Sequence, residues 1–128
     1  MKLLLDTHAF LWLNAGDASL TKRARRAIDD VRNERYLSIA SVWEMAIKIS
    51  LGKLSLELEL GELVQGGAVE NGIALLDVQA PHALGVVALP FHHRDPFDRL
   101  LVAQARHAEC VLVSADVAFD AYGVQRIW

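Results

Sequence analysis

Four acids, Asp6, Glu44, Asp98 and Asp116, stand where apolar runs give way to helical spacing, and carboxylates so placed can hold hard divalent cations. Converging without compensation, they would repel by roughly 4 kcal/mol per close pair at an effective dielectric of about 20. Such a group needs cations, protonation or basic partners. Mg²⁺ and Mn²⁺ prefer oxygen ligands and keep several waters, so a carboxylate cluster completed by substrate phosphate suits them. Two such ions about 4 Å apart would give the attacking and leaving oxygens of a phosphodiester displacement one Lewis acid each.

Taken singly, each acid also has a purely structural explanation. Asp6 or Thr7 can cap a helix, Glu44 completes an S-x-x-E capping box with Ser41, Asp98 lies in a first helical turn, and Asp116 precedes Val117-Ala-Phe119. The balance shifts to a shared site only if the fold brings them to one edge, and the elements around them predict that it does. Lys2–Leu5 is a buried-strand run that ends at Asp6, followed by helical spacing over Ala9–Leu13. Leu20–Arg32 is a basic amphipathic helix, and Tyr36–Ala40 a second strand. The capping box opens a helix through Ile49, closed by Gly52. Leu58–Val69 is helical and ends at Gly72, before a third strand at Ile73–Leu76. Pro81–Val87 is helical; Asp95-Pro96 then supplies an N-cap and first-turn proline for a helix carrying Phe97, Leu101, Ala105 and Ala108. Cys110–Val113 is a fourth strand and Val124–Ile127 a short last one.

Strands alternating with helices, and apolar throughout, specify an α/β chain with a mostly parallel sheet covered on both faces. In such sheets every strand-to-helix connection leaves from the carboxyl edge, where ligands bind. The 128 residues, 53% hydrophobic and 23% charged, suit one domain over 1–128 with a substantial core. Cys110 has no cysteine partner and lies in an apolar run, as a small buried hydrophobe does. The first apolar run is too short for a signal peptide or membrane span, so no membrane partner and a cytoplasmic location are expected. A net charge of −3 argues against a general duplex-DNA binder. Lys22, Arg23, Arg25 and Arg26 form one basic cluster; Lys48, Lys53, Arg94, Arg99 and Arg106 could line a second.

Asp6-Thr7 after the first strand, Glu44 in Ser41-Val-Trp-Glu-Met-Ala-Ile-Lys48, Asp98 in Asp95-Pro-Phe-Asp-Arg-Leu-Leu-Val-Ala-Gln104, and Ser114-Ala-Asp116 together resemble PIN-domain toxins of the VapC family. The resemblance spans essentially the whole chain. It implies a PIN-like three-layer α/β/α sandwich and a ribonuclease toxin of a type II toxin–antitoxin pair, with the four acids holding Mg²⁺ or Mn²⁺ for RNA hydrolysis. Thr7 and Ser114 match supporting hydroxyl positions. A small cognate antitoxin and a second copy of the chain are the implied protein partners. Asp98 is favoured over Asp95 as the third acid because an apolar helix follows it, while Asp95-Pro96 is explained as a cap.

Arg94 and Arg99 flank the acids, and a guanidinium fork can meet two phosphate oxygens, so both are candidate substrate contacts. His92 and His93 are assigned to a loop or substrate contact, since adjacent side chains seldom point the same way. His8, His82 and His107 lack zinc-ligand spacing. Trp12 and Trp43 are assigned to a core or subunit interface rather than base stacking. No P-loop pattern and no G-x-S-x-G elbow is present. Two rivals stand beside the nuclease. A catalytically silent binding module would use the acids as caps or as a docking surface. A phospho-receiver domain would need paired acids after the first strand and a late lysine, but Asp6 stands alone and Gln125-Arg126 has no lysine.

Overall fold

The strands are short and apolar, and their alternate residues serve two different cores. In β1 (Lys2–Leu5), Leu3 and Leu5 face one way and Leu4 the other, all three fully buried. Val111 and Val113 against Leu112 repeat the division in β4 (Val111–Val113). A strand buried on both faces needs cover on both, which a parallel sheet with crossover helices provides.

The computed structural model describes residues 1–128 and builds a five-stranded, wholly parallel sheet in the order β3-β2-β1-β4-β5. The remaining strands are β2 (Glu34–Ser38), β3 (Ile73–Leu76) and β5 (Arg126–Ile127). On one face Phe10 of α1 (Thr7–Ala15), Ala24 and Ile28 of α2 (Lys22–Asp29) and Met45 of α3 (Ile39–Ser50) pack on Leu3, Leu5, Leu37 and Ile73. Leu60 and Leu63 of α4 (Leu60–Gly67) close that layer. On the other, Leu101, Val102 and Ala105 of α6 (Pro96–Ala108) pack on Leu4 and Leu112 with Phe119 and Tyr122, which lie in a 3₁₀ turn over Val117–Tyr122. The short α5 (Ala80–Gly85) runs against α6. The result is the expected three-layer sandwich, with Cys110 buried in the second core. No helix is long and apolar enough to cross a membrane.

Two helix boundaries differ from their expected places for capping reasons. The basic helix begins at Lys22, because the Thr21 side chain accepts the Ala24 N–H, and it ends at Asp29. The S-x-x-E box over Ser41 and Glu44 does not form. Ser38 caps α3 instead, its hydroxyl accepting the Ala40 N–H at 3.0 Å. The helix therefore starts three residues earlier, Ser41 Oγ is buried without a partner, and Glu44 lies in the second turn, released from capping duty.

Strand order reverses at β1, since the chain moves from β1 to β2 and β3 on one side and later returns to β4 on the other. In parallel α/β sheets ligands bind at such a switch point, beyond the carboxyl ends of the strands, here those of β1 and β4. Asp6 follows β1 and Ser114-Ala-Asp116 follows β4, with the Asp6 N–H bonded to the Val113 carbonyl at 3.1 Å.

Candidate active site

This edge receives acids from four segments. Asp6 caps α1, its Oδ1 accepting the Ala9 N–H at 2.8 Å. Asp116 caps the 3₁₀ turn, accepting the Ala118 N–H at 2.9 Å, while its own N–H is held by Ser114 Oγ at 3.0 Å. Asp98 lies in the first turn of α6, where Pro96 and the Asp95 cap fix the helix start; Asp95 accepts the N–H groups of Phe97 and Asp98. Glu44 is buried, with Oε1 accepting the Thr7 hydroxyl at 2.6 Å and Oε2 meeting Lys48 Nζ at 2.7 Å.

Burial dominates the electrostatics. It raises the Asp6 carboxyl above the ordinary carboxylate range, against hydrogen bonds from Ser114 and the Ala9 amide. Burial also pushes Asp98 up to about 7, with the negative charge of Asp95 next and those of Glu44 and Asp6 adding to it, while His93 works the other way. At Asp116 partial desolvation opposes ionisation, but the Ala118 amide, His93 and the Arg126 charge outweigh it and hold the group low. Lys48 is raised by its hydrogen bond to Glu44. Asp98 thus feels Asp95, Glu44 and Asp6, and Asp6 feels Asp116, so the acids crowd one another in the absence of a cation.

His93 enters the cluster from the loop before α6. Its Nε2 lies 2.8 Å from Asp116 Oδ2 and 3.0 Å from Asp98 Oδ2. The loop is itself held in place: the His93 N–H donates to the Tyr122 hydroxyl at 2.8 Å, and that hydroxyl donates to the Pro90 carbonyl at 2.8 Å.

A model of the PIN domain matches residues 3–125. The chain belongs to the PIN domain family. Solved structures agree on the fold. The VapBC2 complex of Rickettsia felis, bound to a DNA fragment from its promoter, is similar with a TM-score of 0.71 at 13% identity, covering 98% of this chain and 97% of that one. VapBC-1 of nontypeable Haemophilus influenzae gives 0.66 at 14% identity over 98% and 96%. FitAcB from Neisseria gonorrhoeae gives 0.59 at 18% over 97% and 95%. No curated protein matches the sequence.

Within this PIN domain the structure brings Asp6, Asp98 and Asp116 to one sheet edge with Glu44 beside them, and places Thr7 on Glu44 and Ser114 on the Asp116 amide. Arg99 is the correction. It is buried, and its guanidinium is spent internally, on the carbonyls of Pro90 at 2.9 Å, Leu89 at 3.2 Å and Val86 at 3.3 Å, with the Phe91 ring stacked 4.1 Å away. No donor face remains for a phosphate. Arg94 is exposed and free of ion pairs, and so keeps its candidacy. Trp12 packs against the first core and the Trp128 ring, as expected of a core residue. Trp43 is 62% exposed and touches Phe97 edge-on, so the core does not hold it.

The sequence names Lys48 in a basic cluster and His93 in a loop or substrate-contact role, and joins neither to a particular acid. Lys48 follows Glu44 at the i,i+4 spacing of helical ion pairs, a signal that was present. For His93 the sequence shows only its place beside the site, since nothing in an adjacent histidine pair tells which ring turns inward.

The displaced Asp98 carboxyl has a stability consequence. Its folded pKa lies above the ordinary value of 3.8, so the folded chain holds a proton that the unfolded chain releases, and stability falls as pH rises from about 4 to about 7. In chelator, the wild-type melting temperature is expected to be roughly 5 °C lower at pH 8 than at pH 5, and Asp98→Asn to flatten most of that slope. Thermal melts of the two proteins across this range check it; identical slopes would contradict the assignment.

Proposed function

We propose that this PIN domain is a divalent-cation-dependent endoribonuclease and the toxin of a type II toxin–antitoxin pair. The observation that carries the proposal is the gathering of carboxylates from four separate segments at the sheet's switch point, with Asp98 displaced to about 7 by burial and its neighbours. An all-oxygen donor set with unbalanced negative charge fits Mg²⁺ or Mn²⁺. Asp6, Glu44, Asp98 and Asp116 would hold the ion, with Lys48 sharing or releasing Glu44 Oε2. When bound, the ion supplies Lewis acidity toward phosphate oxygens and the attacking water.

The chain's own residues prepare that arrangement. Ser114 Oγ holds the Asp116 amide, and the bond from the Asp6 N–H to the Val113 carbonyl ties the ends of β1 and β4 together. Thr7 and Lys48 fix both oxygens of Glu44, which preserves its orientation at small entropic cost. Arg94, exposed beside the Asp95 cap, is the remaining candidate for meeting a phosphate of the bound strand. Similarity to the VapBC and FitAB complexes supports an antitoxin as partner.

The test is an assay of the purified chain on several single-stranded and structured RNAs in chelator, Mg²⁺ and Mn²⁺. Cleavage confined to the cation lanes is expected, together with a rise in melting temperature. An ion at a hundredfold excess over its Kd adds about 2.7 kcal/mol to stability. Cleavage retained without metal would overturn the metal dependence. Neither cleavage nor cation-induced stabilisation would leave a binding module.

A further inference from the structure

A single nitrogen, His93 Nε2, spans two carboxylates, at 2.8 Å from Asp116 and 3.0 Å from Asp98. Such spacing has two physical origins. Donor atoms on one octahedral ion, with bonds of about 2.1 Å at right angles, stand about 3 Å apart; so do the partners of an N–H···O hydrogen bond. The other ring nitrogen decides between them. His93 Nδ1 accepts the Asp95 backbone N–H at 3.1 Å, so Nδ1 carries the lone pair and Nε2 the proton. A protonated nitrogen has no lone pair to offer an ion. Metal-ligating histidines show the reverse arrangement, with the far nitrogen donating to a carbonyl or carboxylate.

We infer that His93 is a positioning residue: it donates from Nε2 to Asp98 and Asp116, holds the two carboxylates at ligating separation, and stays outside the ligand set. Its role rests on the acids binding a divalent ion, as proposed above. The ring is fixed from several sides. Its backbone N–H is bonded to Tyr122, the ring lies tilted against Phe119 with centroids 5.9 Å apart, and the Asp95 amide sets its rotation. An N–H so placed lets two like charges stand close while leaving their remaining lone pairs free for a cation. Asp95 thereby serves twice, capping α6 with its side chain and fixing the His93 tautomer with its amide.

Two measurements test this. In ¹⁵N-histidine-labelled protein, the long-range ¹H–¹⁵N spectrum should show His93 with a protonated, pyrrole-type Nε2 and a pyridine-type Nδ1, both before and after saturation with diamagnetic Mg²⁺. In calorimetric titrations with Mn²⁺, His93→Ala should bind 10–100-fold more weakly than wild type, and His93→Gln, whose amide nitrogen can reach the Nε2 position, should recover most of that loss. Loss of the Nε2 proton on Mg²⁺ binding would make His93 a ligand and overturn the inference, as would undiminished Mn²⁺ affinity in His93→Ala. Wild-type protein that binds neither ion would instead bring down the metal-site proposal itself, and the inference with it, an outcome distinct from failure confined to the variants.

Discussion

Asp98→Asn is expected to reduce RNA cleavage by about a thousandfold or more while making the metal-free chain more stable at pH 8. The two effects have one cause. Asp98 is held by a folded environment that disfavours its charge, through burial first and then the negative charge of Asp95, Glu44 and Asp6. The amide has the same shape and no charge, so the fold loses a repulsion that it otherwise tolerates. A cation loses the carboxylate that most requires it. Activity and stability therefore move in opposite directions, which a variant that merely unfolds cannot do. Cleavage rates under saturating Mn²⁺ and melting temperatures in chelator, measured on the same preparation, check both halves. Cleavage within tenfold of wild type would remove Asp98 from the site, and a lower melting temperature would contradict its electrostatic assignment.

Much of this site was legible because parallel α/β topology turns local sequence into a spatial statement. Once Lys2–Leu5 and Cys110–Val113 were read as buried strands, the acids following them had to share an edge. Asp95-Pro96 was read correctly as the start of α6, because a proline at the first helical position and an acid before it form a strictly local signal. Where the sequence misled, a competing local signal or a long-range contact intervened. Ser38 and Ser41 both offer a capping hydroxyl, and nothing within the segment tells that the end of β2 will hand the role to Ser38. Arg99 and Arg94 sit five residues apart on either side of Asp95 and look equivalent. Only the fold shows that the loop Val86–His93 runs over one of them and consumes its donors. The inward turn of His93 depends on Tyr122, 29 residues away, and no spacing rule reaches that far.

Arg99 accordingly carries the second large prediction, on stability rather than on phosphate recognition. Its guanidinium supplies donors to three carbonyls of one loop, a planar fan that a lysine ammonium cannot reproduce, and its charge rests on the Phe91 ring. Truncation leaves those acceptors short of donors in a partly dry setting, at roughly 1–3 kcal/mol for each that water fails to reach, besides the packing of the buried stem. Arg99→Ala is therefore expected to cost about 3–5 kcal/mol, a large share of the 5–15 kcal/mol typical of a domain. Arg99→Lys should recover only part of it. Arg94→Ala, on an exposed and unpaired side chain, should stay within about 0.5 kcal/mol of wild type. Urea denaturation of the three variants measures the differences, and a loss below about 1 kcal/mol in Arg99→Ala would show that the loop does not depend on this anchor. Because the same loop carries His93 to Asp98 and Asp116, the anchor also governs the acids: in a folded remnant of Arg99→Ala, Mn²⁺ affinity should fall toward that of His93→Ala even though Arg99 touches neither carboxylate. A residue placed by sequence on the substrate thus acts from within, by setting the loop that sets the histidine that aligns the acids.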